Sequence, residues 1–257
     1  LTPEVAASID AASTVAEVDD VYRPFRPKRR IRASMAKEKG LEPLALLLLE
    51  QKPQVDPLAE AAAYIDAEKG VESAEDALAG ARDIIAENVS DDPSLRKRLR
   101  VVAMAQSDLV SKAAKPDEDS VYAQYYDFRQ PVRQAAGHRV LAVERGEREV
   151  FLKVSIELDR TRAPSIVESA CVRGTSPSSQ EVRAAAEDAY DRLIFPSLER
   201  EIRAALTEKA DEDAIKVFRV NLRQLLMQPP VRGKVAIGLD PGYRTGCKTA
   251  VIDGTGK

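Results

Sequence analysis

The stretch Ser179-Gln-Glu-Val-Arg-Ala-Ala-Ala-Glu-Asp-Ala-Tyr-Asp-Arg-Leu-Ile-Phe-Pro196 decides the fold class. Ser179 reads as the cap of a long helix. Val182, Ala185, Ala186, Ala189 and Leu193 then recur at helical spacing along one side. Most of these side chains are small, so a second helix can approach closely. Pro196 lacks the N–H that a helix interior uses, which predicts a kink or a fresh start there. Helix is expected to resume over 198–209 and 213–227 and to end at Pro229-Pro230.

Composition points the same way. The 257 residues are 32% charged and 5% aromatic, with no Trp, which suits helices packed through small and aliphatic side chains. The length allows one or two domains and a sizeable core. Upstream, weak stripes and breakers predict short helices over 1–18, 34–40, 44–51 and 58–67. Ser73-Ala-Glu-Asp76 reads as a capping box before a helix over 77–88. Asp92-Pro93 caps a helix expected to run to about Ala113. Its inner stripe would be Leu95, Leu99, Val102, Gln106 and Leu109, with Arg96, Lys97 and Arg100 pointing away. Short helices with tight capped turns resemble helix-turn-helix packing, an arrangement that permits groove binding and is also common in scaffolds.

Two stretches break the helical period. Val150, Leu152, Val154, Ile156 and Leu158 alternate with polar or outward positions, the signature of a strand. No local partner is evident, which leaves the terminal hairpin or chain outside this sequence to pair with it. In the hairpin, Val235, Ile237 and Leu239 alternate with Ala236, Gly238 and Asp240. Pro241-Gly242 and Thr245-Gly246 carry turn chemistry, and a second strand runs from Cys247 to Ile252. The expected fold is therefore mainly α: a multi-helix region with a long central helix over 1–228, one isolated strand, and a β-hairpin opening a second region over 229–257. The absence of an initiator Met, a helix start at Leu1-Thr-Pro-Glu and an unpaired terminal hairpin lead to the expectation of a piece of a longer protein.

The net charge of −3 does not announce a nucleic-acid binder, so any such role must come from a local cluster. One exists in Val21-Tyr-Arg-Pro-Phe-Arg-Pro-Lys-Arg-Arg-Ile-Arg32. Arg23, Arg26, Lys28, Arg29, Arg30 and Arg32 bring six cations and no acid, with Tyr22 and Phe25 interleaved. Pro24 and Pro27 predict an extended arm. Cations in an extended segment suit a sugar-phosphate backbone, and the rings suit bases. The same segment also suits a surface arm that ties down acidic helices through ion pairs.

Other chemistry is sparse. Cys171 and Cys247 have no metal or redox spacing, which fits a reduced, cytoplasmic setting. His138, the single histidine, has no nucleophile or second His nearby and reads as structural, so no metal or cofactor is expected. Tyr122, Tyr125, Tyr126 and Phe128 read as a core plug. The longest apolar run, Leu44 to Leu49, is far too short to cross a membrane, and no signal peptide appears. Asp240 ends a strand among small neighbours, where a carboxylate has room to bind a hard cation. It also reads as the residue that opens the turn before Pro241-Gly242.

Several of these segments resemble the Tex family of transcription accessory proteins. They are Tyr22 through Ala33, Ala36-Lys-Glu-Lys-Gly-Leu-Glu-Pro-Leu-Ala45, His138-Arg-Val-Leu-Ala-Val-Glu-Arg-Gly-Glu147, Phe195 through Arg203, Asn221 through Pro230, and Gly238-Leu-Asp-Pro-Gly-Tyr-Arg-Thr-Gly-Cys-Lys248. The last resembles the opening of that family's YqgF-related, RuvC-like (RNase H-like) domain, and Asp240 matches its first-strand carboxylate. A two-metal site needs several converging oxygens, and only one is offered here, a vestige of such a site. The resemblance implies an elongated helical protein that binds RNA or single-stranded DNA, is linked to the transcription machinery and is non-catalytic in this region. It implies no membrane association. Part of a metal-dependent nuclease, or a protein-interaction scaffold for transcription or translation machinery, are the alternatives.

Overall fold

Side chains that accept from free backbone N–H groups set most helix starts. Thr2, Thr14, Asp56, Ser73 and Asp92 cap in this way, as expected from their types. A computed structural model describes residues 2–26, 31–159, 162–229, 233–244 and 246–257. The first helices are α1 (Pro3–Asp10), α2 (Val15–Tyr22), α3 (Arg32–Glu38), α4 (Glu42–Glu50), α5 (Pro57–Ala62), α6 (Ala74–Ser90) and α7 (Pro93–Gln106). Strands β1 (Asp108–Ala113) and β2 (Asp127–Pro131) precede α8 (Gly137–Arg148), β3 (Leu152–Glu157), α9 (Arg162–Cys171), α10 (Pro177–Asp188) and α11 (Phe195–Leu226). Strands β4 (Ala236–Gly242) and β5 (Gly246–Ile252) close the chain. The architecture is mainly helical, as composition and periodicity predict.

The chain divides into two units, Leu1–Ala210 and Asp211–Lys257. In the first, α6 packs against α3, α4, α5 and α10. Leu44, Leu48, Ala81, Ile84, Ile85 and Val182 are buried between these helices. A Cβ at Gly80 would overlap the Leu41 side chain, so the glycine lets α6 and the start of α4 approach. Tyr122 and Tyr125 are buried in the same core, where Tyr125 meets Phe128 edge-on at 5.4 Å. The second unit holds the last part of α11 and the antiparallel β4–β5 hairpin, in which Asp240 lies opposite Lys248.

Several expectations need correction. The strand over 150–158 is not isolated: β3 pairs antiparallel with β1, and β1 pairs with β2 on its other side. Its partner was hidden because Leu109 continues the Leu95–Leu99 stripe, so a helix to Ala113 looked consistent. The helix ends instead at Gln106, and Ser107 turns extended while its hydroxyl donates to the Ala103 carbonyl at 2.6 Å. Ser176, not Ser179, caps α10, and the Ser179 hydroxyl donates to Arg173 O. Residues 162–171 form α9. Pro241-Gly242 continue β4 rather than make the turn; in a two-stranded hairpin a Pro can sit on an open edge.

Pro196 acts as expected in changing the helix. Between α10 and α11 the backbone passes through one π-helical stretch, Ala189–Ile194, in which Phe195 N–H reaches back to Tyr190 O. Gly146 lies within α8, where a Cβ would stand 2.6 Å from Leu152 Cδ1, so only glycine lets β3 pack there. The left-handed residue that terminates α8 is Val150, at φ 63°. Val150 N–H bonds Glu147 O and Phe151 N–H bonds Gly146 O, a closing pair that glycine usually makes.

Candidate nucleic-acid interface

The basic arm leaves the helical body at the end of α2. The expected extended course does not hold at its start: Val21 and Tyr22 finish α2, and Arg23–Phe25 form one 3-10 turn. Pro24 sits in the first turn of that element, where a missing N–H costs nothing. Arg26 itself is extended (φ −66°, ψ 132°). Lys28, Arg29 and Arg30 lie outside the described residues.

Each described cation of the arm stands near an acid. Arg23 Nε bonds Asp91 Oδ1 at 3.2 Å, with the Asp91 side chain only 12% exposed. Arg26 Nη2 bonds Asp19 Oδ1 at 3.2 Å, in a pair open to solvent, with side-chain exposures of 55% and 62%. The Arg26 guanidinium also lies 5.8 Å from the centre of the Tyr22 ring. Tyr22 and Phe25 both expose large parts of their rings. Arg32 opens α3 on the wall of a surface cleft of about 450 Å³ shared with Lys39, Glu72, Asp76 and Asp83. Burial raises the Asp83 carboxyl above its usual range, against the opposing pull of Arg192 and Arg32.

Behind the arm is a network that the sequence reading placed on the wrong side of a helix. Arg96 does not point away from the core; its side chain is 0% exposed. Its Nε bonds Asp20 Oδ1 at 2.7 Å, and its Nη2 bonds Ser197 Oγ at 2.8 Å and Glu201 Oε1 at 3.1 Å. Arg100, one turn on, bonds Asp20 Oδ2 at 2.7 Å and Glu201 Oε2 at 2.8 Å. Burial works against the Arg100 charge, but Asp20 and Glu201 outweigh it and hold the guanidinium above its usual value. Two arginines and two carboxylates thus tie α2 and α7 to α11. Lys97, which does point outward, pairs with Glu17 at 2.8 Å. The i, i+4 spacing of Arg96 and Arg100 was the only sequence trace of this network, since their partners lie on other elements.

The remaining chemical candidates lie apart. Asp240 is exposed on β4. Among the described residues no three His, Cys, Asp or Glu side chains group so as to hold a metal ion. His138 is exposed in the first turn of α8. Cys171 is half-buried, and burial pushes its thiol up to about 11, helped by Glu168. Cys247 is exposed. Among the described residues no helix is long and apolar enough to cross a membrane.

Residues 52–218, well over half of the chain, match the family model described as Tex central region-like. The chain is 46% identical to the Bacillus subtilis protein named Uncharacterized protein YdcI, over 100% of this chain and 36% of that protein. It is 37% identical to Transcriptional accessory protein Tex of Neisseria gonorrhoeae, over 100% of this chain and 35% of that protein. It is 30% identical to S1 RNA-binding domain-containing protein 1 of Pongo abelii, over 94% of this chain and 26% of that protein. The chain spans about a third of the length of the curated bacterial relatives it matches.

Proposed function

The chain belongs to the Tex family, and from that premise we propose that it is the helical part of a nucleic-acid-binding transcription accessory protein, with the basic arm as its contact for RNA or single-stranded DNA. The observation that carries the reading is the surface placement of Tyr22, Phe25 and Arg26 where the arm leaves α2. Rings open to solvent offer stacking surfaces for unpaired bases, and a guanidinium beside them offers a phosphate contact. Arg32, and Lys28, Arg29 and Arg30 between them, extend the same chemistry along the chain. The names of the Neisseria and Pongo relatives, one transcriptional and one RNA-binding, support the same class of partner.

The reading assigns no catalytic step to this chain. Asp240 supplies one carboxylate, and a two-metal nuclease site needs several. The hairpin fits the start of an RNase H-like domain in which Asp240 is vestigial. A second reading, a helical protein-interaction scaffold, is favoured by Ile215, Phe218, Leu222 and Leu225, which line one exposed side of α11.

Ultraviolet cross-linking of single-stranded oligouridylate, with the attached peptide identified by mass spectrometry, tests the proposal. Attachment within Tyr22–Arg32 is expected. Attachment confined to other segments, or none, would contradict it.

A further inference from the structure

The three acids of α2 are divided between two sets of cations. Glu17 and Asp20 face α7, where they meet Lys97, Arg96 and Arg100. Asp19 faces the other way and meets Arg26. Residues 19, 22 and 26 follow helical spacing from α2 through the 3-10 turn. The Arg26 guanidinium therefore folds back over Tyr22 to reach Asp19.

From this arrangement we infer that Asp19 is a built-in competitor for phosphate at Arg26, whereas Asp91 holds Arg23 as an anchor of the arm. The inference rests on the arm being the nucleic-acid contact and says which of its described arginines is exchangeable. The two pairs have the same 3.2 Å separation and differ in their surroundings. Arg26 and Asp19 are both in water, where an ion pair is weak and side chains exchange partners freely. A phosphate oxygen arriving at Arg26 displaces a carboxylate that returns to solvent at little cost. Asp91 is largely out of water, so its pair with Arg23 is less screened and less open to exchange than the solvated Asp19–Arg26 pair. Arg23 stays in place and fixes the base of the arm. The negative charge of Asp19 then lowers affinity for polyanions in two ways, by occupying Arg26 and by repelling the strand.

The test is binding of a labelled single-stranded oligouridylate across a range of salt to the whole chain. The variants are Asp19→Asn, Arg26→Ala, their combination, Asp91→Asn, and Lys28, Arg29 and Arg30 together changed to Ala. Asp19→Asn should tighten binding at low salt about two- to five-fold, the range set by releasing an exposed ion pair. It should also steepen the log–log salt slope by about 0.7, one additional single-strand contact. Both gains should vanish when Arg26 is Ala. Asp91→Asn should give no such gain and should lower the melting temperature. No gain from Asp19→Asn, or an equal gain with Arg26→Ala, overturns the inference while leaving the arm as the contact, provided the triple variant flattens the slope. If the triple variant leaves the slope unchanged, the arm is not the contact and the inference falls with it.

Discussion

Arg96 on α7 and Asp20 on α2 meet at 2.7 Å with side chains 0% and 5% exposed. Asp20 also serves Arg100, and Glu201 on α11 serves both arginines from the other side. Each buried carboxylate oxygen of Asp20 has a guanidinium partner, which is what makes ionised groups tolerable inside a protein. The pair therefore ties α2 to α7.

Removing Asp20 leaves Arg96 charged, fully buried and short of a carboxylate. Asp20→Ala is expected to lower unfolding stability by about 3–5 kcal/mol, the usual cost of breaking a buried ion pair from one side. Urea unfolding followed by circular dichroism measures it. Asp19→Ala, one residue away and solvated, should change stability by no more than ~0.5 kcal/mol. Equal effects at the two positions would refute the inward and outward division of α2.

Among the described residues two non-glycine residues hold left-handed backbone, and their substitutions should act in opposite directions. Val150 is a β-branched residue at φ 63°, largely exposed, at the end of α8. Val150→Gly should stabilise the protein by ~0.5–1 kcal/mol by relieving backbone strain. Gln51 at φ 54° does more than turn the chain: its amide donates to Cys171 O at 2.7 Å and accepts from Arg173 N–H at 2.6 Å. Gln51→Gly should cost about 1–3 kcal/mol, because two partly buried hydrogen bonds to the backbone are lost. Denaturant midpoints of the two variants decide both signs.

The cysteines should separate by reactivity. Cys247 is exposed and should react promptly with a thiol reagent, whereas the half-buried Cys171 should react more slowly. Burial raises the Cys171 thiol from 9.0 to about 11, so the folded state favours the protonated form. That contribution to stability is full below the unfolded pKa and is lost as pH rises through the folded one. Wild type should therefore lose stability relative to Cys171→Ala between pH 9.0 and about 11. Parallel stability curves for the two proteins across that window would show that Cys171 is not desolvated.

Features set by neighbouring residues were legible in the sequence, and those set by distant ones were not. Ser73 and Asp92 cap their helices within three residues, so their side-chain types sufficed to place them. The change of helix at Pro196 was legible for the same reason. Strand β1 was missed because Leu109 fits a helical stripe as well as a strand, and only pairing with residues of β2 and β3 settles the choice. Arg96 was misplaced because periodicity treats a charge as solvated. Its partners Asp20 and Glu201 lie 76 and 105 residues away in the chain. In the arm, the cations and rings were readable, while the acids that meet Arg23 and Arg26 were visible only after folding.

The slope of log affinity against log salt tests the central claim, that the arm contacts the nucleic-acid backbone, most directly. It is measured with single-stranded RNA for wild type and for the variant with Lys28, Arg29 and Arg30 changed to Ala. Three lost phosphate contacts at about 0.7 each should flatten the slope by about 2. A variant with the slope of wild type would contradict the account.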